Sequence, residues 1–219
     1  MAKTIDEVDW KVKLAVCGNS EATIEALKLQ FAVHPEVSVQ GSDILRSECS
    51  AFVCPGNSFG YMDRGLSLRV LESLGWELQD RLRSIIRESY DGELLVGQAI
   101  LIETASNPPW MIYAPVQRTS VGGGESLCAY FVVRGALLAV RNHNREHPDD
   151  LIESIAIPVL GVEEFGLHPA TSARQIRYAY EQVAGMRGLG DKNLSNLSRR
   201  EKKLLSIPRI NQEAGAADD

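Results

Sequence analysis

The sequence predicts a three-layer α/β/α domain built on a mixed, mainly parallel central sheet. Three observations carry that expectation. Short apolar segments alternate along the chain with longer stretches whose apolar residues recur at spacings of three and four. Turns containing glycine, asparagine or proline separate the segments. The chain has 219 residues, is 44% hydrophobic and 24% charged, and so can bury one sizeable core. Strands that alternate with helices pack as a parallel sheet covered on both faces.

The first strand is predicted at 13–17, and Asn19-Ser20 then supplies N-cap chemistry with Glu21 in the first turn. Ile24, Leu27 and Phe31 mark an amphipathic helix that ends near His34-Pro35. A second strand at 37–40 closes on Gly41-Ser42-Asp43, and a third spans 51–54. One long helix is expected from Leu66, with Leu71, Leu74, Leu78, Leu82 and Ile85 inward and Gly75 as its weak point. After the Asp91-Gly92 turn come strands at 99–103 and 111–114, separated by Asn107-Pro108-Pro109. The three glycines within Val121–Glu125 read as a flexible link into a helix from about Ser126 to His143. The last strand is 155–158, and the helix after it has Pro169 in its first turn and Ala173, Ile176, Tyr180 and Val183 inward. Residues 1–184 are expected to form the domain. Residues 185–219 are polar and glycine-punctuated, and read as an extension that is partly disordered or holds one short basic helix.

Composition excludes several classes of function. A net charge of −6 argues against a general grip on nucleic acid, so an anionic ligand must be held by local amides. No apolar run approaches the ~20 residues that cross a bilayer. The acidic N-terminal segment lacks the apolar stretch of a secretory signal, which points to the cytoplasm. Cys17, Cys49, Cys54 and Cys128 have no metal-ligand spacing and read as reduced, buried thiols. His143 and His147 stand at helical spacing but lack further ligands, so no metal and no cofactor are expected. Arg199, Arg200, Lys202 and Lys203 read as a solvated helix face.

The stretch Ala51–Gly65, AFVCPGNSFGYMDRG, is the richest in chemistry. A strand ending in a glycine-containing loop at a helix N-terminus gathers backbone N–H groups where an anion can sit. Asn57 adds a side chain that both donates and accepts hydrogen bonds. Leu160–His168, after the last strand, is a second irregular loop. In a parallel sheet both loops fall at the carboxyl ends of strands, where ligands bind.

These segments resemble the macrodomain family, whose members bind ADP-ribose and in many cases hydrolyse it from proteins or acyl groups. FVCPGNSFGYMDRG is similar to the family's strand and first loop, and GELLVGQAILIET, MIYAPVQR, YFVVRGALLAV and IAIPVLG are similar to a bacterial and phage-like branch. The resemblance implies that Asp43 and Ile44 meet the adenine and that Asn57 contacts the distal ribose. It implies that Ser58, Gly60, Tyr61, Met62, Gly65 and Ser67 belong to the loop around diphosphate and ribose. It places Gly161, Val162, Phe165 and Gly166 in the second ligand loop. Two departures stand out. Ser67 stands where hydrolytic members carry an aspartate, leaving Asp63 as the substitute. Glu163 and Glu164 replace small neutral residues and would repel a phosphate if they face it. The implied function is binding of ADP-ribose or a related nucleotide, with weak ADP-ribosyl or O-acyl-ADP-ribose hydrolysis through Asn57 and Asp63. The alternative is a non-catalytic reader or interaction module. The implied partners are a small nucleotide ligand and an ADP-ribosylated protein, with no membrane.

Overall fold

A computed structural model describes residues 10–119, 127–185 and 194–206. Six strands form one sheet: β1 (Lys13–Cys17), β2 (Val37–Gln40), β3 (Ala51–Asn57), β4 (Ile100–Glu103), β5 (Trp110–Gln117) and β6 (Ser154–Pro158). Their spatial order is β2-β1-β6-β3-β5-β4, parallel throughout except for β4, which runs antiparallel to β5. The strands alternate with helices α1 (Glu21–Phe31), α2 (Gly65–Leu74), α3 (Glu77–Ser89), α4 (Cys128–Glu146), the short α5 (Val162–Phe165), α6 (Pro169–Val183) and α7 (Leu194–Leu205). The sheet is covered on both faces, as the continuous apolar runs of its strands require.

On one face α1, α4 and α6 bury Leu27, Phe31, Val132, Ala136, Val140, Ile176 and Tyr180 against Val16, Val53, Ile112 and Ile155. On the other, α2 and α3 bury Val70, Leu71, Leu78, Leu82 and Ile86 against Phe52, Cys54, Met111 and Tyr113. Each fully buried aliphatic side chain contributes about 1.5–3 kcal/mol to the fold. The inward residue at the end of this face is Ile86, while Ile85 is only partly buried. The expected single helix from Leu66 is two helices. Gly75 at φ 98° stops α2, and α3 starts two residues later.

Ser20 caps α1 in a reciprocal capping box with Thr23. A 3₁₀ turn at Ile44–Arg46 follows β2, started by the Asp43 carboxylate on Leu45 N at 3.2 Å. The helix expected near the chain's end is present as α7. It lies on α6, with Leu204 buried and the Arg174 guanidinium donating to Lys203 O and to Ser206 Oγ. The expected glycine-rich link at 121–125, the N-terminal segment 1–9 and the end of the extension from 207 lie outside the described residues. No helix among the described residues is long and apolar enough to cross a membrane.

Candidate functional site

β3 does not stop at Cys54 but continues through Pro55 and Gly56 to Asn57, because its pairing with β5 runs on to Gln117. The register slips between Gly56 and Asn57. At the slip the Tyr113 hydroxyl takes over the ladder, accepting from Asn57 N at 2.9 Å and donating to Asn57 O at 2.8 Å. Only glycine fits at position 56, since a Cβ there would lie 2.0 Å from the Tyr113 hydroxyl. Burial pushes the Tyr113 phenol well above its ordinary range, so it stays neutral and serves as a fixed donor and acceptor.

Loop 1 is folded around Asn57. Its Oδ1 accepts from Phe59 N at 3.0 Å and Tyr61 N at 3.3 Å, and its Nδ2 donates to Tyr61 O at 2.7 Å. Ser58 N donates to Arg118 O at 3.1 Å, and Leu94 N donates to Ser58 O at 2.8 Å. Arg118 grips Glu93 through two bonds of 2.7 and 3.0 Å and lies 5.1 Å from the Phe59 ring centre. Met62 is fully buried, and its amide donates to Gln79 Oε1 at 2.8 Å. Tyr61 stays exposed, with the Arg83 guanidinium 4.2 Å from its ring centre.

Between loop 1 and the loop after β6 lies a cleft of about 230 Å³. Its floor is Pro55, Gly56 and Asn57 with Val116 and Gln117. One wall is Tyr61, Asp63 and Arg64 with the first turn of α2, Gly65, Leu66 and Ser67. Arg64, the N-cap of α2, makes no side-chain cap. The Ser67 hydroxyl is buried and donates to Arg64 O at 2.8 Å. Asp63 is exposed, with Arg64 Nε 4.0 Å away.

The opposite wall is Glu163 and Glu164. Glu164 Oε2 accepts from Gly161 N at 2.9 Å, and Glu163 Oε1 accepts from Asn19 Nδ2 after β1. Gly161, at φ 75°, leaves no room for a Cβ above Cys128 Sγ, which would stand 2.7 Å from it. Burial pushes the Glu164 carboxyl up, and the neighbouring Glu163 charge adds to the shift against the hydrogen bonds it accepts.

The structure thus brings Asn57, Tyr61, Asp63, Gly65 and Ser67 of the expected site residues to one cleft. Ser58, Gly60 and Met62 belong to loop 1, and Gly161, Val162, Phe165 and Gly166 flank Glu163 and Glu164 after β6, but none of these seven lines the cleft. Asp43 and Ile44 do not line it. Ile44 is in the core, and Asp43 pairs with Arg69 Nη2 at 2.7 Å. Sequence reasoning missed Tyr113, because Gly56 reads as loop rather than strand, and Asn19, which reads as N-cap chemistry but donates to Glu163. All four cysteines are buried and unbridged. Burial raises Cys17 to about 12 and Cys54 further still, so neither is a reactive thiol. His143 packs against the rings of Trp110 and His147, and no cluster of three or more His, Cys, Asp or Glu side chains gathers at a metal-binding distance among the described residues.

No model of a known protein family matches the sequence, and no curated protein matches it. Solved structures do. The macrodomain of Mycobacterium tuberculosis DarG is 22% identical, with 66% of this chain and 90% of that one covered and a TM-score of 0.52. An Oceanobacillus iheyensis macrodomain with ADP is 17% identical over 74% of this chain and 88% of that one, with a TM-score of 0.52. This chain has the macrodomain fold. Thermosipho africanus DarTG in complex with ADP-ribose is 18% identical, covering 78% of this chain and 50% of that longer one, at a TM-score of 0.50. On this macrodomain scaffold the loops after β3 and β6 emerge from adjacent parallel strands at the same rim. They face each other because the strands are neighbours, although almost a hundred residues separate them in sequence.

Proposed function

We propose that the cleft binds ADP-ribose or a closely related nucleotide diphosphate sugar, as a reader with little or no hydrolytic turnover. The observation that carries this is the first turn of α2, a ten-residue helix whose N-terminus opens into the cleft without a side-chain cap. Uncapped N–H groups at a helix start, aided by the helix dipole, are suited to phosphate oxygens. In this reading the distal ribose sits beside Asn57 and Tyr61, with the phosphates on Gly65–Ser67. The adenosine half extends out of the cleft toward Asp43, since about 230 Å³ is below the ~300 Å³ lower end of ordinary ligand pockets. Fold similarity to an ADP-ribose complex supports the choice of ligand. An ADP-ribosylated protein is the matching macromolecular partner.

Ser67 favours a reader over a hydrolase. Its hydroxyl proton is committed to Arg64 O, and it offers no carboxylate to a water. Asp63 is the remaining candidate base on that wall, held by an exposed loop. The test is calorimetric titration at neutral pH with ADP-ribose, ADP, AMP and NAD. Saturable binding, tighter for ADP-ribose than for AMP, is expected. Flat titrations for all four, at neutral pH and again at pH 5.5, would contradict the reading.

A further inference from the structure

The two walls of the cleft have opposite polarity. Gly65–Ser67 present N–H groups and the positive end of α2, while Glu163 and Glu164 present carboxylates. The second wall is built rather than accidental. Glu164 folds back so that Oε2 accepts from Gly161 N at 2.9 Å, and Glu163 Oε1 accepts from Asn19 Nδ2. A backbone amide of the loop after β6 is therefore already occupied by an anion of the protein's own. Any ligand that brings a phosphate into this half of the cleft meets that charge.

We infer that Glu164 is the specificity-determining residue of the cleft, selecting ligands by charge and admitting a diphosphate together with a proton. The inference rests on the ADP-ribose reading above. Its chemistry balances simply. The carboxylate takes one proton from solvent as the ligand enters, becomes neutral, and gives back the same proton when the ligand leaves.

Burial raises the Glu164 carboxyl, so less proton activity is needed to neutralise it than for an exposed glutamate. An approaching phosphate raises it again, since like charges disfavour the ionised form. The sign follows: anionic ligands bind more tightly as pH falls, whereas a neutral nucleoside does not respond. The charged groups facing Glu164 are Glu163 on its own loop and Asp63 and Arg64 across the cleft. His168, at the end of the same loop, accepts from Ala170 N through Nδ1. A contribution from His168, Glu163 or Asp63 would persist when Glu164 is replaced.

The experiment is calorimetry of ADP-ribose and of adenosine in two buffers of different ionisation enthalpy. It is run at pH 7.5 and 5.5 on the full chain and on Glu164→Gln, with Glu164→Ala as a second variant. Circular dichroism melts establish that each is folded. Wild type should take up a fraction of a proton with ADP-ribose and none with adenosine, and should bind ADP-ribose more tightly at pH 5.5. Glu164→Gln should show no uptake, and at pH 7.5 should bind about 5-fold more tightly or better, as removing ~1 kcal/mol of repulsion predicts. Binding that is equal at both pH values and unchanged in both variants overturns this inference alone. Proton uptake that survives in Glu164→Gln also overturns it and assigns the linkage to another group. Absence of ADP-ribose binding by every protein at both pH values overturns the functional reading and this inference with it.

Discussion

Asn57 is the residue on which loop 1 is organised, and most of its side-chain capacity is used inside the loop. Its oxygen accepts two backbone amides and one of its two amide hydrogens goes to Tyr61 O, which leaves one donor for a ligand. Asn57→Ala should therefore act twice. Leaving those groups unpaired costs ~1–3 kcal/mol, and a chain of this size loses about 2–4 °C of Tm for each. ADP-ribose affinity should fall about 5-fold or more in the same variant. Thermal melts and calorimetry read the two effects separately. A full-affinity Asn57→Ala protein with steep salt dependence would indicate nonspecific attraction instead. Ser67 carries the second prediction at this scale. Wild type should release ADP-ribose from an ADP-ribosylated protein or an acetylated ADP-ribose ester slowly or not at all, because a placed base typically supplies ~10²–10⁴-fold. Ser67→Asp should gain activity where loop geometry suffices, and its carboxylate falls in the first turn of α2, where the helix dipole favours it. Robust wild-type turnover would contradict the claim and transfer the role of base to Asp63. The asparagine and the missing carboxylate were both legible in the sequence. The direction of the Asn57 side chain was not, because an asparagine after a strand can face a ligand or fold its own loop equally well.

At the scale of elements, the strands and helices were legible wherever a buried stripe had a clear period. Leu27 and Phe31 on α1 and Ile176, Tyr180 and Val183 on α6 are such stripes, and the structure buries them. What local pattern could not supply was the reach of β3, which is set by its partner. Pro55-Gly56-Asn57 reads as a loop on its own, yet β5 and the Tyr113 hydroxyl hold it as strand. The α2–α3 break was foreshadowed by Gly75 but decided by tertiary packing, which turns α3 so that Leu78, Leu82 and Ile86 face the sheet. The extension carries the prediction that belongs here. The glycine-rich, polar composition after Gly185 predicts that trypsin cuts first at Arg187 or Lys192, leaving a resistant core of about residues 10–184. Arg174, which donates to Lys203 O and Ser206 Oγ, together with buried Leu204 anchors α7 on α6. Arg174→Ala should therefore hasten cutting at Arg199, Lys202 and Lys203 without exposing sites in α3. Early cleavage within α3 in wild type would contradict the proposed boundary.

At the scale of the molecule, a net charge of −6 and an anion-suited cleft are compatible because the attraction is local. Two neighbouring parallel strands, β3 and β6, bring their loops to one rim, and the topology rather than any single motif makes the site. The α/β/α architecture, the rim and the two loops followed from alternation and loop composition. The facing of Glu163 and Glu164 onto the cleft did not, since a carboxylate pair beside a cleft and one turned away from it have the same sequence. That facing gives the cleft its split polarity, and it is why charge composition alone could not predict the ligand. In the proposed binding mode the first turn of α2 meets the ligand's phosphates. Amide NMR during titration with ADP-ribose tests it most directly. Saturating shifts are expected at Gly65, Leu66 and Ser67, with Asn57 and Tyr61 following. Unmoved α2 amides, whether nothing shifts or shifts appear elsewhere, would contradict it.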